Sequence, residues 1–289
     1  MSLVVPGSSE RMLAKARDID VEELVVDLED AVIPERKSEA LAAVLEALDV
    51  PGFQAGRVLV RVNAIGTAWA HQELIALTAA PHLAGVVVPK VESPGDLAFV
   101  DRLLDGAELA AGRVKPLLVQ ALIETARGLT ALHQIVSASP RLEAIILGYA
   151  DLSASLGRSR AGVADLDRWL AVQDIVLVAA RSGGVQAIDG PHLKLEDADG
   201  LVAAARRAAD LGFDGKWAIH PSQLAPLAAE FTPSPAEVEH AESVLEALAR
   251  AARDGGGAVA MDGEMLDEPV RLAALRTLAR AGRVSEPAR

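Results

Sequence analysis

The chain contains no cysteine, which excludes disulfides, thiolate nucleophiles and cysteine-based metal sites. Aromatic residues amount to only 3% while 51% of residues are hydrophobic, so the core has to be aliphatic, as expected for Val/Ile/Leu-rich parallel strands covered on both faces. Positive charge is in short supply: 28 Lys and Arg stand against 41 Asp and Glu, a formal net charge of -13. That balance repels a phosphate backbone, and no basic run interleaved with aromatics reverses it locally; nucleic acid is not an expected partner. No apolar stretch approaches the roughly 18 residues of a membrane span. The opening MSLVVPGSSER has neither the basic n-region nor the long apolar h-region of a signal peptide. A cytoplasmic chain with no membrane segment is the expectation. Neither GxGxxG nor GxxxxGK[ST] occurs, so the usual glycine-rich phosphate loops are missing too.

What the sequence does have is repetition of one pattern. Short β-branched runs occupy 3–6, 24–28, 58–62, 85–89, 116–123, 143–148, 185–189 and 216–220. Amphipathic stretches lie between them, for example 8–19, 35–48, 94–104, 126–136, 167–181 and 198–211. Strand and helix in alternation imply right-handed parallel βαβ units. Eight of them predict a closed (β/α)₈ TIM barrel over residues 1–232, since an open doubly wound sheet usually stops at five or six strands and carries a Gly-rich first turn. A long helix at 235–252, a hinge at 254–257 and a last helix at 266–281 would form a C-terminal extension, 233–289, suited to a lid or an oligomer contact.

In such a barrel the reacting groups stand at the carboxyl ends of the strands. Those ends read Asp27, Glu29 and Asp30, then Arg61 and Asn63, then Lys90, Glu124, Asp151, Asp189 and His220. A purely structural barrel has no use for so many ionisable groups, which cost desolvation unless paired or metal-bound. Each has an alternative role. Glu124 precedes a helix and could favour its dipole. Asp151 could be an N-cap. Arg61 could neutralise the acidic rim, Asp27, Glu29 and Asp30 could pair with Arg36, Lys37 or Arg61, and His220 could be a packed loop histidine. On adjacent strands 5 and 6, however, Glu124 and Asp151 share one mouth, where two anions repel unless a cation lies between them. Oxygen-only ligands suit Mg²⁺. The planar fork of Arg61 matches a substrate carboxylate or carbonyl. The start of the first helix, with Arg11 and Lys15 one turn apart, could hold phosphate.

Nine stretches together carry a resemblance: VVPGSSERMLAKA, VVDLEDAVIPERK, VRVN, VVVPKVES, LIETARG, GYADLSASLG, AARSGGVQAIDGP, GFDGKWAIHPSQL and DGEMLDEP. In this order, over nearly the whole chain, they resemble the citrate lyase β-subunit family within the HpcH/HpaI aldolase/citrate lyase superfamily, which includes citramalyl-CoA and malyl-CoA lyases. The resemblance implies Mg²⁺-dependent cleavage of a β-hydroxyacyl thioester, on CoA or an acyl carrier, to an acetyl thioester and a 2-oxo acid. It implies that Glu124 and Asp151 ligate Mg²⁺ and that Arg61, with Glu124, contacts the acid. It further implies that Arg11, Lys15 and Ile219-His220-Pro221 line the CoA groove, and that Asp267 of the MLD-like motif serves as catalytic acid/base from a neighbouring subunit of a homo-oligomer, a trimer or hexamer. A class II pyruvate-type aldolase working without CoA, or a non-catalytic barrel subunit, are the competing readings.

Overall fold

The computed structural model describes residues 1–159, 166–253 and 255–283. The chain divides into two compact units, Met1–Leu227 and Ala228–Arg289.

In the first unit, β1 (Ser2–Pro6), β2 (Glu23–Asp27), β3 (Arg57–Arg61), β4 (Leu83–Val88), β5 (Leu118–Ile123), β6 (Leu142–Leu147), β7 (Gln186–Asp189) and β8 (Gly215–Ala218) pair in chain order. Parallel pairing of β8 with β1 closes the barrel. The helices between the strands are α1 (Glu10–Ala16), α2 (Lys37–Asp49), α3 (Ala70–Leu77), α4 (Pro94–Ala111), α5 (Ala126–Ile135), α6 (Tyr149–Ser155), α7 (Leu170–Gly183) and α8 (Ala198–Leu211). Every expected strand is present, with ends shifted by one or two residues. Helices α3 and α6 complete the alternation; both are short, and short amphipathic runs give weak periodicity.

Inside the barrel, Val25, Leu59, Val87, Leu122, Ala144, Ile146, Ile188 and Trp217 form one apolar cluster. Each such aliphatic side chain contributes about 1.5–3 kcal/mol when removed from water, and this layer is the floor on which the functional end rests. Below it, at the amino ends of the strands, a polar layer is internally paired: Arg57 reaches Glu23 at 2.6 Å and Glu143 at 2.7 Å, and Gln120 donates to Glu23 at 2.8 Å. The barrel is thus plugged at one end, and its chemistry is confined to the other.

Helix α9 (Leu224–Phe231) leads into the second unit, where α10 (Pro235–Arg253), β9 (Val259–Met261), β10 (Glu264–Leu266) and α11 (Glu268–Arg280) follow. Between the stretch expected as a hinge, 254–257, and the last helix, expected from 266 and found from Glu268, lies an antiparallel hairpin that was not expected, Met261 opposite Glu264; Asp254, the first residue of the proposed hinge, lies outside the described residues. The turn is Asp262-Gly263, with φ of 52° and 86°, the left-handed pair that a two-residue hairpin turn demands. Ala241, Val244, Leu248, Leu266, Ala274 and Leu278 form the unit's own apolar core. Met265, on the opposite face of β10 from Leu266, is 75% exposed. Among the described residues no helix is long and apolar enough to cross a membrane.

Candidate active site

Side chains alternate along a strand, so a residue two places beyond an inward-facing one projects to the same side, higher in the barrel. Two places beyond Val25, Leu59 and Leu122 stand Asp27, Arg61 and Glu124. Register completes the placement: Asp27 lies directly opposite Arg61 on β2 and β3, and Ile123 opposite Leu147 on β5 and β6, which sets Glu124 beside Gly148.

The Arg61 guanidinium grips Asp27 with two parallel hydrogen bonds, Nε to Oδ1 at 2.7 Å and Nη2 to Oδ2 at 2.6 Å, and its Nη1 lies 3.0 Å from Glu29 Oε2. Its charged plane also sits 5.8 Å from the centre of the Trp217 ring, a cation–π contact with the barrel floor. Asp27 accepts in addition from the backbone of Glu29 at 2.8 Å and Ala31 at 3.1 Å, which folds the acidic loop back over the strand. Lys37 donates to the carbonyls of Leu28 and Glu29 at 2.8 and 2.6 Å, while Arg36 pairs outside with Glu39. Of the three partners expected for the acidic cluster, Arg61 is the one that engages its carboxylates.

Glu124 is 2% exposed. It accepts from the Lys90 backbone N–H at 3.0 Å, and Lys90 Nζ lies 3.9 Å from Glu124, 3.6 Å from Asp151, 3.8 Å from Asp30 and in hydrogen-bonding contact with Glu29. Among the described residues, five carboxylates (Asp27, Glu29, Asp30, Glu124 and Asp151) thus face two cations, Arg61 and Lys90. Burial, then the negative charge of Asp151 and Glu29, pushes the Glu124 carboxyl up to about 8, against the opposing pull of Lys90 and Arg61. Burial likewise raises Glu29. Desolvation on this scale is what a tuned site shows.

The capping alternatives for the two central carboxylates are filled by neighbours. The N-cap of α5 is Thr125, which accepts from Gly128 at 3.0 Å, and the N-cap of α6 is Gly148. Gly148 has a further part: a Cβ there would lie 2.6 Å from Glu124 Cβ and 2.7 Å from its Oε2, so only glycine leaves the carboxylate its place. Gly190, after β7, is equally closed, its Cβ falling 2.2 Å from the Leu147 carbonyl oxygen.

Other rim residues go elsewhere. Asp189 follows the inward-facing Ile188 and therefore points to the helix side, where it is 1% exposed and accepts from Tyr149 and, at 2.5 Å, from Lys216. A cavity of ≈ 490 Å³ lined by Tyr149, Arg158, Trp169, His192 and Lys216 opens on that outer side and shares no lining residue with the carboxylate cluster. Asn63 clasps Glu73 of α3, its backbone N–H donating at 2.7 Å and its side chain at 2.5 Å. His220 caps the short turn Pro221–Gln223, accepting from Ser222 N at 3.2 Å. Arg11 and Lys15 are exposed on α1 after β1; Ile219, His220 and Pro221 follow the neighbouring β8. Asp267, in the second unit, is the N-cap of α11 and accepts from Val270 N at 3.5 Å. Lys90 and Glu29 are the members of the cluster that sequence reasoning underrated. What VVVPK shows by itself is a lysine at the end of β4, one strand away from Glu124 at the end of β5.

Among the described residues no group of three or more His, Asp or Glu side chains is arranged to hold a metal ion by itself. Two carboxylates are enough for Mg²⁺, which keeps several waters and takes substrate oxygens in their place. The oxygen-only donors, the excess of negative charge, and the glycine that makes room for Glu124 all fit that ion.

A closed barrel with a carboxylate pair and an arginine at its mouth suits many chemistries, and the family narrows them. Residues 1–221 match the HpcH/HpaI aldolase/citrate lyase model, and the chain belongs to that family. The L-malyl-CoA/beta-methylmalyl-CoA lyase of Cereibacter sphaeroides is 36% identical over 281 residues, covering 91% of this chain and 86% of that protein. The (3S)-malyl-CoA thioesterase of the same species is also 36% identical, covering 96% of this chain and 93% of that one. Among solved structures, CitE from Mycobacterium tuberculosis, in complex with magnesium, acetoacetate and coenzyme A, is 34% identical with a TM-score of 0.77, covering 97% of both chains.

Proposed function

We propose that the chain is a Mg²⁺-dependent carbon–carbon lyase that cleaves a β-hydroxyacyl-CoA of the malyl-CoA or citramalyl-CoA type to an acyl-CoA and a 2-oxo acid. The observation that carries this reading is the gathering of Glu124, Asp151 and Arg61 at one barrel mouth; the names of the relatives support the CoA thioester as substrate class. We read the enzyme as a homo-oligomer, because the role given to Asp267 needs a second chain.

Cleavage turns the substrate hydroxyl into a carbonyl: the hydroxyl passes its proton to the carboxylate of the acid/base, Asp267, the bond to the thioester α-carbon breaks, and that carbon keeps the electron pair as an enolate. Glu124 and Asp151 would hold Mg²⁺, which when bound would supply the Lewis acidity that lowers the hydroxyl pKa. Arg61, fixed by Asp27 and Glu29, places positive charge against the oxygen of the departing oxo acid. Arg11 and Lys15 offer cations to the CoA phosphates, with Ile219, His220 and Pro221 along the same groove. Asp267 delivers the proton that converts the enolate carbon to the acetyl methyl.

Incubating the protein with Mg²⁺, acetyl-CoA and glyoxylate or pyruvate and identifying a new thioester by mass tests the reading in reverse; no condensation with any oxo acid would overturn it. The thioesterase relative, 36% identical over 283 residues, favours a second reading, hydrolysis of malyl-CoA. Free CoA and intact malate, in place of acetyl-CoA and glyoxylate, would identify it.

The raised Glu124 carboxyl gives a pH dependence. Folding favours its protonated form between the ordinary 4.5 and about 8, so without a divalent cation its contribution to stability is present at low pH and lost as pH rises through 8. A bound cation needs the carboxylate and displaces that proton. The rise in Tm on adding Mg²⁺ is therefore expected to be larger at pH 8.5 than at pH 6, with affinity growing by up to about tenfold per pH unit in between. A Tm gain independent of pH would count against Glu124 as ligand.

The role of Asp267 can be separated from its cap. Asparagine is as good an N-cap as aspartate, so Asp267→Asn should leave Tm nearly unchanged while removing the acid and lowering kcat about 10²–10⁴-fold. If the acid acts in trans, co-assembled Asp267→Asn and Glu124→Gln chains regain activity through sites with one intact half from each. Mixed oligomers that stay inactive would assign Asp267 to its own barrel or to capping alone.

A further inference from the structure

Lys90 ends β4 in an unusual way. Its φ is +52°, a left-handed conformation that disfavours any side chain and persists only where the surroundings hold it. What holds it are the carboxylates already described: the backbone N–H is bound to Glu124 and the ammonium to Glu29. From there Nζ lies within 4 Å of Asp30, Glu124 and Asp151 as well. Both ends of one residue are committed to the candidate metal ligands and their neighbours.

A lysine ammonium is a compact point charge on a flexible four-carbon stem. Against Glu124 and Asp151 it satisfies the charge that a divalent cation would satisfy, and it repels that cation from a few ångströms away. Resting on the assignment of Glu124 and Asp151 as Mg²⁺ ligands, we propose that Lys90 is a tethered counter-ion that competes with the metal for this cluster and sets its affinity. The protein side then stays folded with its carboxylates held together, and the metal binds loosely until the negatively charged acid arrives to balance both cations. Lys90 is by this account a positioning residue: it acts through the carboxylates and not on the reacting bond.

Removing the charge should have two opposite effects. In chelator, Lys90→Met and Lys90→Gln are expected to melt at lower temperature than the natural chain, because the carboxylates lose their counter-ion; saturating Mg²⁺ should restore most of that loss. In calorimetric titrations of the full-length protein without substrate, both variants should bind Mg²⁺ about tenfold more tightly or better, while Lys90→Arg, which keeps the charge, should remain near the natural affinity. Lys90→Gln retains a hydrogen-bond donor toward Glu29 and serves if the methionine variant does not fold. Equal or weaker Mg²⁺ binding in the neutral variants, or a melting loss of the same size with and without Mg²⁺, would overturn the proposal. A natural chain whose Mg²⁺ binding is unaffected by Glu124→Gln and Asp151→Asn would remove the ligand assignment itself, and the role of Lys90 with it.

Discussion

Glu124→Gln should lose about three orders of magnitude or more in turnover, because it removes the charge that a Lewis-acid centre needs while leaving the shape of the site intact. Glutamine has the same size, so the contact with Gly148 is preserved, and its amide oxygen still accepts from the Lys90 N–H. Burial and the neighbouring carboxylates already disfavour the charge on Glu124, raising its pKa to about 8, so the substitution costs the isolated fold little. The loss is therefore chemical and not structural, and a circular dichroism melt in chelator should be close to that of the natural chain. Asp151→Asn should behave alike in turnover. Calorimetric titration with Mg²⁺ in the presence of the oxo acid is the measurement. Undiminished binding in both variants would sink the metal assignment.

Arg61→Lys should cost about 10²–10³-fold in kcat/KM, and here stability suffers too. The guanidinium makes two parallel hydrogen bonds with Asp27 and an ion pair with Glu29, and an ammonium cannot reproduce the parallel pair. Unpairing a buried carboxylate from its cation costs about 3–5 kcal/mol when the partner is removed outright. Lysine, which keeps the charge, should lose part of that, seen as a fall in Tm of several degrees. Steady-state kinetics with a malyl-type thioester separates the two effects: near-normal kcat/KM in a variant with lowered Tm would make Arg61 a structural residue.

The barrel was legible because its signal is redundant. Eight β-branched runs separated by amphipathic stretches point to one architecture even if each boundary is off by a residue or two, and the strand ends inherit their place from it. Glu124, Asp151 and Arg61 could be gathered on paper for that reason. The fine sorting of the rim needed parity. Asp189 and Glu124 both end strands, yet Asp189 follows an inward residue by one place and Glu124 by two, which sends them to opposite sides of the sheet. Which face is inward depends on partners far away in sequence, such as Trp217 against Val25, so the run QAID alone could not settle it. The hairpin of the second unit is a different case. Val-Ala-Met-Asp-Gly-Glu-Met-Leu carries a two-residue Asp-Gly turn between short apolar runs, but runs of only three residues each are too short for alternation to stand out. Lys90 was underrated because its importance lies in a left-handed backbone and in proximity to four carboxylates, neither of which is written in local composition.

Anyone wishing to redirect this enzyme to another acid meets a boundary at Gly148 and Gly190. Both lie at the same height as the carboxylates, and both are closed to even a methyl group by backbone and side-chain atoms nearer than 3 Å. A library that randomises these two positions would displace Glu124 or the backbone after β6 in most of its members. New selectivity has to be introduced from other strands of the mouth, so the specificity of this scaffold is evolvable along one arc of the barrel and fixed along the other.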